Sequence, residues 1–523
     1  MPTFSDCQIS LAQTGHFSTA LTDYLSETDK LQPFYRRFPR PENFIAQIKE
    51  KQAHFTTEDR ERLTDALLRQ YEGLEHTDTL NIEQLNDPNT FTLTTGHQLN
   101  IFSGPLYFHY KIMTVINAAR ELRSRYPKYN FVPVYWMASE DHDLEEIRSF
   151  RLFGKTWAWE TEQTGAVGRF HTEGLTQLVH DIGEDLSPFA EAYHESKTLA
   201  EATRRFVHSL YGSEGLLVLD ADEAELKQAF APIIEDDLFT HTAEKKVRQT
   251  TRQLEELGYP DQVFPRPINF FYLHDGARER IERQENGSFQ VLNTDLHFSE
   301  DELKSRLQEN PERFSPNVVM RPLYQECILP NVSYTGGPAE VAYWFQLREV
   351  FRHYEIPFPI LLPRNFVLYL NKTTLKKMDK AALEVTDLFK DTHQIKKEYL
   401  AEQSENEFSL DREKGQLAGV FEDIARKADH VDSSLVDWTK SQEAQIHKVL
   451  DRIEQRLRKA EEKKHETVIR QIEGIKDKLF PDGGLQERSE NVLNFYINDR
   501  NFLRSVQQRL DPFDFRLHVL TEE

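Results

Sequence analysis

Residues 131–138, FVPVYWMA, form an almost unbroken apolar run in a chain that is only 38% hydrophobic. A strand this apolar has no polar face to give to water, so it is expected in a parallel sheet covered on both sides. Parallel strands need a crossover, and the preceding residues supply one. Gly104-Pro105 opens a helix in which Leu106, Tyr110, Met113, Ile116, Ala119 and Leu122 recur every three or four residues. Proline suits the first helical position, where its missing N–H would have had no partner. Tyr126-Pro127 stops the helix. Upstream, Phe91 to Thr94 is short and β-favouring, and Thr95-Gly96-His97-Gln98 breaks it. A β-α-β unit of this kind holds its ligands beyond the carboxyl ends of its strands. Those ends carry Gly96, His97 and Gln98 on one strand, and Ser139, Glu140, Asp141, His142 and Asp143 on the other.

A second such unit spans 328–370. Residues 328–334 read as strand despite Pro330, Thr335-Gly336-Gly337-Pro338 as a turn, and 339–354 as helix. Residues 358–362 and 366–370 return as strand around Pro363. Ser103-Gly104-Pro105 and Gly336-Gly337-Pro338 are alike, each a glycine turn feeding a helix with proline at its first position. Free amides at two such starts on one sheet edge would receive a phosphate or a carboxylate. Elsewhere, 1–90 reads as mostly helical, 150–180 as short strands and turns, and 215–220 as another buried strand. Residues 270–273 and 289–292 suggest a hairpin-bearing insertion.

From about Lys390 the pattern changes. Leu417, Phe421, Ile424, Ala428, Val431, Leu435 and Trp438 form one heptad-like series. Ile446, Leu450, Ile453, Leu457 and Ala460 form another, continuing through Val468, Ile472, Ile475 and Leu479. Successive four-residue steps near Lys464 predict a stutter. Asp432-Ser433-Ser434 predicts a break into two antiparallel helices, with the serines capping the second. So long an apolar series predicts a homodimer.

A formal net charge of −23 argues against a nucleic-acid partner, and means that small anions must be captured by local cations. No apolar run approaches the ~18 residues of a membrane span, so no membrane partner is expected. The first residues, MPTFSDCQIS, lack a basic and an apolar leader region, which makes the cytoplasm the expected location. Cys7 and Cys327 are too few for a disulfide framework, and no structural zinc is expected.

GxxxxGK[ST], GxGxxG, HExxH and GxSxG are all absent. What remains is Glu140-Asp141-His142-Asp143 at a strand end. Three carboxylates around an imidazole suit Mg²⁺, a substrate ammonium, or a His142 base whose pKa its neighbours raise. The alternative is a helix cap, with Asp141 or Asp143 leading into Glu145 and Glu146.

TTGHQLNIFSGPLYFHYK, VPVYWMASEDHDLEEI, YTGGPAEVAYW and LQERSEN…LDPFD occur in this order over nearly the whole chain. Together they resemble the BshC family, the cysteine-adding enzymes of bacillithiol biosynthesis. The resemblance implies an α/β fold, a Rossmann-like parallel-sheet core with connecting-peptide insertions plus an α-helical coiled-coil domain that dimerises. On this chain the core covers 1–390 with insertions near 150–200 and 265–315. An antiparallel helical arm covers 391–482, and 483–523 packs back on the core. The resemblance also implies a ligase that joins the carboxyl of L-cysteine to the amine of glucosaminyl-malate in the final step. By analogy with class I synthetase-like ligases, ATP or ADP is the expected cofactor, with Mg²⁺. On that reading His97, Glu140, Asp141, His142 and Asp143 are the candidate catalytic residues. Gly96, Gln98, Gly104, Lys111, Arg321, Gly336, Gly337, Glu340 and Arg364 are the candidate substrate and anion-binding residues, and no metal ligands are assigned. The rival from another class is a non-catalytic nucleotide- or metabolite-binding coiled-coil dimer that assists a separate ligase. Turnover separates the two.

Overall fold

The computed structural model describes residues 5–75, 82–403 and 409–522; residues 76–81, and 404–408 of the expected arm, lie outside these. The core is a parallel sheet of β1 (Thr90–His97), β2 (Asn130–Met137), β3 (Leu217–Asp220), β4 (Asn331–Gly336) and β5 (Ile360–Pro363). Their spatial order is β5-β4-β1-β2-β3. His97 lies opposite Met137, Met137 opposite Asp220, Thr335 opposite Thr95 and Gly336 opposite Pro363, so the carboxyl ends come out level. The chain starts in the middle, adds β2 and β3 to one side, and then β4 and β5 to the other. The topological switch point therefore lies between β1 and β4. Pro133 is tolerated inside β2 because β3 begins opposite Val134, which leaves Pro133 at an edge on that side.

Several boundaries differ from the sequence expectation. β1 runs through His97 and does not break at Thr95, because backbone pairing with β2 continues along its whole length. Helix α1 (Tyr107–Arg125) starts two residues after Pro105, which instead bridges to Asn491. Before it, Phe102, Ser103 and Gly104 all have positive φ (48°, 64° and 63°). A left-handed non-glycine residue costs about 1–2 kcal/mol, so this turn must be held from outside. Phe102 N–H donates to Tyr193 Oη at 2.7 Å, and Asn491 Nδ2 donates to the carbonyls of Phe102 (2.9 Å) and Gly104 (2.7 Å). A short helix, α2 (Leu144–Ile147), follows β2. Ile328, expected to begin β4, is the last residue of helix α3 (Arg321–Ile328), and α4 (Pro338–Gln346) follows β4.

Two insertions surround this core. Between β2 and β3 come a hairpin (Ser149–Leu152 with Lys155–Ala158) and the helices Leu175–Ile182, Phe189–Glu195 and Leu199–Tyr211. Between β3 and β4 lies an antiparallel sheet that contains Phe270–His274, Ala277–Arg283 and Phe314–Pro316. The strand Cys7–Ile9 pairs antiparallel with Leu517–Thr521.

A second compact unit comprises the described residues of Tyr369–Gly484 with residues 5–6 and 521–522. Its long helices are α5 (Asp411–Val431), α6 (Leu435–Lys464) and α7 (Glu466–Leu479). The break after Val431 falls where Asp432-Ser433-Ser434 predicts it, but no serine side chain caps α6; Asp432 Oδ1 instead accepts from Ser434 N–H at 2.8 Å. The stutter expected near Lys464 is a full break at His465. Lys414 of α5 pairs with Asp451 (2.8 Å) and Glu454 (2.6 Å) of α6, as two antiparallel neighbours do. Among the described residues, no helix is long and apolar enough to cross a membrane.

Candidate active site

A cavity of about 330 Å³ opens at the switch point. Gly96 and His97 of β1 and Tyr334 of β4 line it, with Trp136 of β2, Lys111 and Tyr107 of α1, Arg321 of α3 and Glu340 of α4. Gln98, Gly337, Tyr343, Arg364 and Arg488 complete the ring of polar groups. Of the candidate anion-binding residues, Gly104 and Gly336 stand outside this lining. Gly104 serves the left-handed turn, and a Cβ on Gly336 would lie 2.9 Å from Glu340 Cβ, so that glycine permits close packing.

Two of the expected free cations are neutralised. Lys111 Nζ donates to Gly96 O at 2.8 Å and pairs with Glu340 at 2.7 Å. Burial lowers its pKa, with Glu340 opposing. Arg364 forms a buried bidentate pair with Glu487, at 2.9 and 2.6 Å. The helix starts are occupied too, contrary to expectation. Leu106 N–H, just before α1, donates to Glu490 O at 2.8 Å, and Gly337 N–H at α4 donates to Glu340 Oε2 at 2.7 Å. Glu340 also accepts from Tyr334 Oη at 2.6 Å. Burial works against its charge, but Lys111, Tyr334 and the Gly337 amide outweigh it and hold the pKa below the usual range.

Arg321 is different. It donates to Gln325 Oε1 at 3.0 Å and Tyr343 Oη at 3.5 Å and lies near the rings of Trp136 and Tyr334, and no carboxylate among the described residues forms an ion pair with it. Arg488, at the exposed rim, has its guanidinium 5.9 Å from the centre of the Tyr107 ring. His97 Nε2 is buried without a hydrogen-bond partner. Burial, then the charge of Lys111, push its pKa well down, so the ring is neutral.

The residues after β2 divide by role. Glu140 forms an ion pair with the buried Lys227, which also donates to Phe314 O at 2.9 Å. Burial pushes the Glu140 pKa up against that partner. Asp141 accepts from Gln98 Nε2 at 3.0 Å and from His142 N–H at 2.7 Å. Burial opposes its charge, but these donors and Arg278 prevail and hold its pKa low. The His142 pKa is lowered and not raised, by burial and by Arg278. Arg278 Nη1 lies 2.9 Å from His142 Nδ1. Since guanidinium only donates, Nδ1 must accept, and a second proton on the ring would set two donors face to face. Asp143 is exposed and accepts from Glu146 N–H at 3.2 Å, so it caps α2. Among the described residues, no three His, Cys, Asp or Glu side chains stand where they could share a metal ion.

Sequence reasoning missed Tyr107, Trp136, Tyr343, Arg488, Lys227 and Arg278. Tyr107, Trp136, Tyr343 and Arg488 stand inside the motifs quoted above, where their residue types alone name no chemistry. Lys227 and Arg278 carried no local signal.

A parallel α/β sheet with its polar cavity at the switch point, joined to a unit of long paired helices, defines a Rossmann-like protein with a coiled-coil domain. Residues 6–365 match the family model described as the N-terminal Rossmann-like domain of bacillithiol biosynthesis BshC, and 367–522 match its C-terminal coiled-coil domain. The chain belongs to the BshC family of bacillithiol biosynthesis. A protein of Cytophaga hutchinsonii named "Putative cysteine ligase BshC" is 42% identical over 525 residues, covering 100% of both chains. Those of the same name from Flavobacterium johnsoniae (41%, 100% of both chains) and Salinibacter ruber (31%, 93% of both chains) are also similar.

Proposed function

We propose that this protein is a ligase that joins the carboxyl of L-cysteine to the amine of glucosaminyl-malate, the final step of bacillithiol synthesis. The observation that carries the reading is Arg321, a guanidinium without a carboxylate partner at the switch-point cavity of a protein with net charge −23. An anionic substrate repelled by the overall field needs such a local cation. Arg321 receives the reacting carboxylate, and Arg488 at the rim faces the dicarboxylate malate moiety of the amine substrate. In the reaction the amine nitrogen bonds to the carboxyl carbon and gives up a proton, while the carboxyl gives up an oxygen. A nucleoside triphosphate is the co-reactant that takes up these elements of water. His97 stays neutral at the cavity wall and offers its unpaired Nε2 to an uncharged polar group, adding no charge that would compete with Arg321. The ligase acts as a homodimer through the arm.

The test is direct. Purified protein with L-cysteine, glucosaminyl-malate and ATP should give the mass of bacillithiol, and omission of any one should abolish it. Replacing Arg321 with Met should cut product formation by about 10²-fold or more, as for other lost electrostatic groups. Absence of product with all three substrates overturns the reading.

A further inference from the structure

A second cavity, of about 360 Å³, lies between the carboxyl end of β2 and the inserted antiparallel sheet. Trp136, Ala138, Val318 and Arg321 line both cavities, so the two meet along one shared wall. Val318 is apolar yet 44% exposed there, a surface that a ligand would cover. We propose that this second cavity is a subsite for a small zwitterionic amino acid, with its ammonium at Asp141 and its carboxylate at Arg321.

Charge selects the ligand class. The cavity is lined by two carboxylates, Glu140 and Asp141, and two guanidiniums, Arg278 and Arg321. Such a balanced site favours a molecule that carries one charge of each sign over a simple anion or cation. The charges are also held in place. Arg278 donates to Ser315 Oγ and Pro316 O at 3.0 Å each and to His142 Nδ1 at 2.9 Å, and its guanidinium lies 3.9 Å over the Phe271 ring. With every nitrogen engaged, Arg278 supplies field and not a free fork. Arg321 forms no ion pair and borders both cavities, so the reacting carboxyl belongs there. Asp141, fixed by Gln98, is left for the ammonium, because Glu140 already holds Lys227.

Of the remaining lining, Trp136, Met137 and Phe271 are apolar and polarisable, while the Asn317 amide is already engaged, donating to Asn269 Oδ1 at 3.0 Å and accepting from Val319 N–H at 2.8 Å. Such a lining accepts a thiol, a weak hydrogen-bonding group, and leaves a hydroxyl unsatisfied. That the amino acid is cysteine rests on the ligase reading; the zwitterion subsite stands on its geometry.

Two measurements on the full-length protein test this. Calorimetric titration of the wild type should show L-cysteine binding about 10-fold or more tighter than L-serine, cysteamine (no carboxylate) or 3-mercaptopropionate (no ammonium). Kinetically, Asp141→Asn and the near-isosteric Phe271→Leu should each raise the KM for cysteine about 10-fold or more and leave the KM for the amine substrate within about 3-fold. Arg488→Ala should do the reverse. Cysteamine or 3-mercaptopropionate binding as well as cysteine overturns the subsite, as does an unchanged cysteine KM in both cavity variants. Product from the wild type with an unmoved cysteine KM removes the subsite and spares the ligase reading. Selective cysteine binding, lost in the two variants but with no product, removes the ligase reading and spares the subsite. Neither binding nor product removes both.

Discussion

Asp141 and Asp143 stand two positions apart and do different work. Asp141 borders the amino-acid cavity, whereas Asp143 caps α2 from the exposed surface. Asparagine keeps the size of either side chain and caps a helix about as well as aspartate. Asp143→Asn should therefore leave both melting and activity near wild type. Asp141→Asn should change folding by less than ~1 kcal/mol yet lower kcat/KM for cysteine by about 10²-fold or more. Melting curves and the bacillithiol assay on both variants check this; equal activity in the two would show that neither charge serves the site. A second residue-scale prediction concerns pH. His109 lies buried between Ser103 and Tyr211, 2.8 Å from each, and burial holds its pKa at about 3. Below about pH 6.5 the unfolded chain binds a proton that the fold refuses, so this contribution is full above that pH and lost as the pH falls toward 3, by about 1.4 kcal/mol per unit. Asp237 has the opposite sign: burial raises its pKa to about 7, so its contribution is full at low pH and lost as the pH rises from about 4 to 7. Because the two oppose each other, the wild-type profile alone decides nothing. The penalty of His109→Gln should shrink by about 2 kcal/mol between pH 6.5 and pH 5. Parallel stability profiles for variant and wild type would refute the assignment.

At the scale of elements, periodicity made the two β-α-β units legible, because an apolar strand and an amphipathic helix declare themselves within a few residues. It also placed His97, Gln98 and Asp141 at strand ends. It could not say that Lys111 is neutralised by Glu340, or Arg364 by Glu487, since these partners are set by tertiary packing and lie 123 residues apart in the second case. Nor could it show that an inserted strand delivers Arg278 to the site, because ARERIER reads like any half-exposed strand. The start of α1 was misread for a similar reason. Gly104-Pro105 looks like a helix start, but the turn is left-handed and pinned by Asn491 from the far end of the chain. Gly104 combines φ 63° with ψ −142°, and a Cβ there would lie 2.7 Å from Asn100 Cβ. Gly104→Ala should thus cost about 2 kcal/mol or more, from strain and overlap together. Urea unfolding measures it, and a loss below about 0.5 kcal/mol would mean that the turn relaxes freely.

At the scale of the whole molecule, the arm carries a long series of exposed apolar residues. Val431, Trp438, Ile446, Val449, Ile453 and Leu457 are each at least 40% exposed, as are Val420 and Ile424. Residues 440–480 hold eleven Lys and Arg against eight Asp and Glu, so this segment is locally cationic in a chain of net charge −23. A two-fold contact uses each residue twice, and burying one Leu or Ile is worth about 1.5–3 kcal/mol. Replacing Ile453 and Leu457 together by Glu removes four such side chains from the contact, about 6 kcal/mol or more, and so weakens the dimer by about 10⁴-fold. Light scattering at micromolar concentration should give twice 61.4 kDa for the wild type and 61.4 kDa for the double variant, with the melting temperature of the core little changed. A wild-type monomer under these conditions would rule out the arm as a dimer contact, and a dimeric double variant would move the contact to another face.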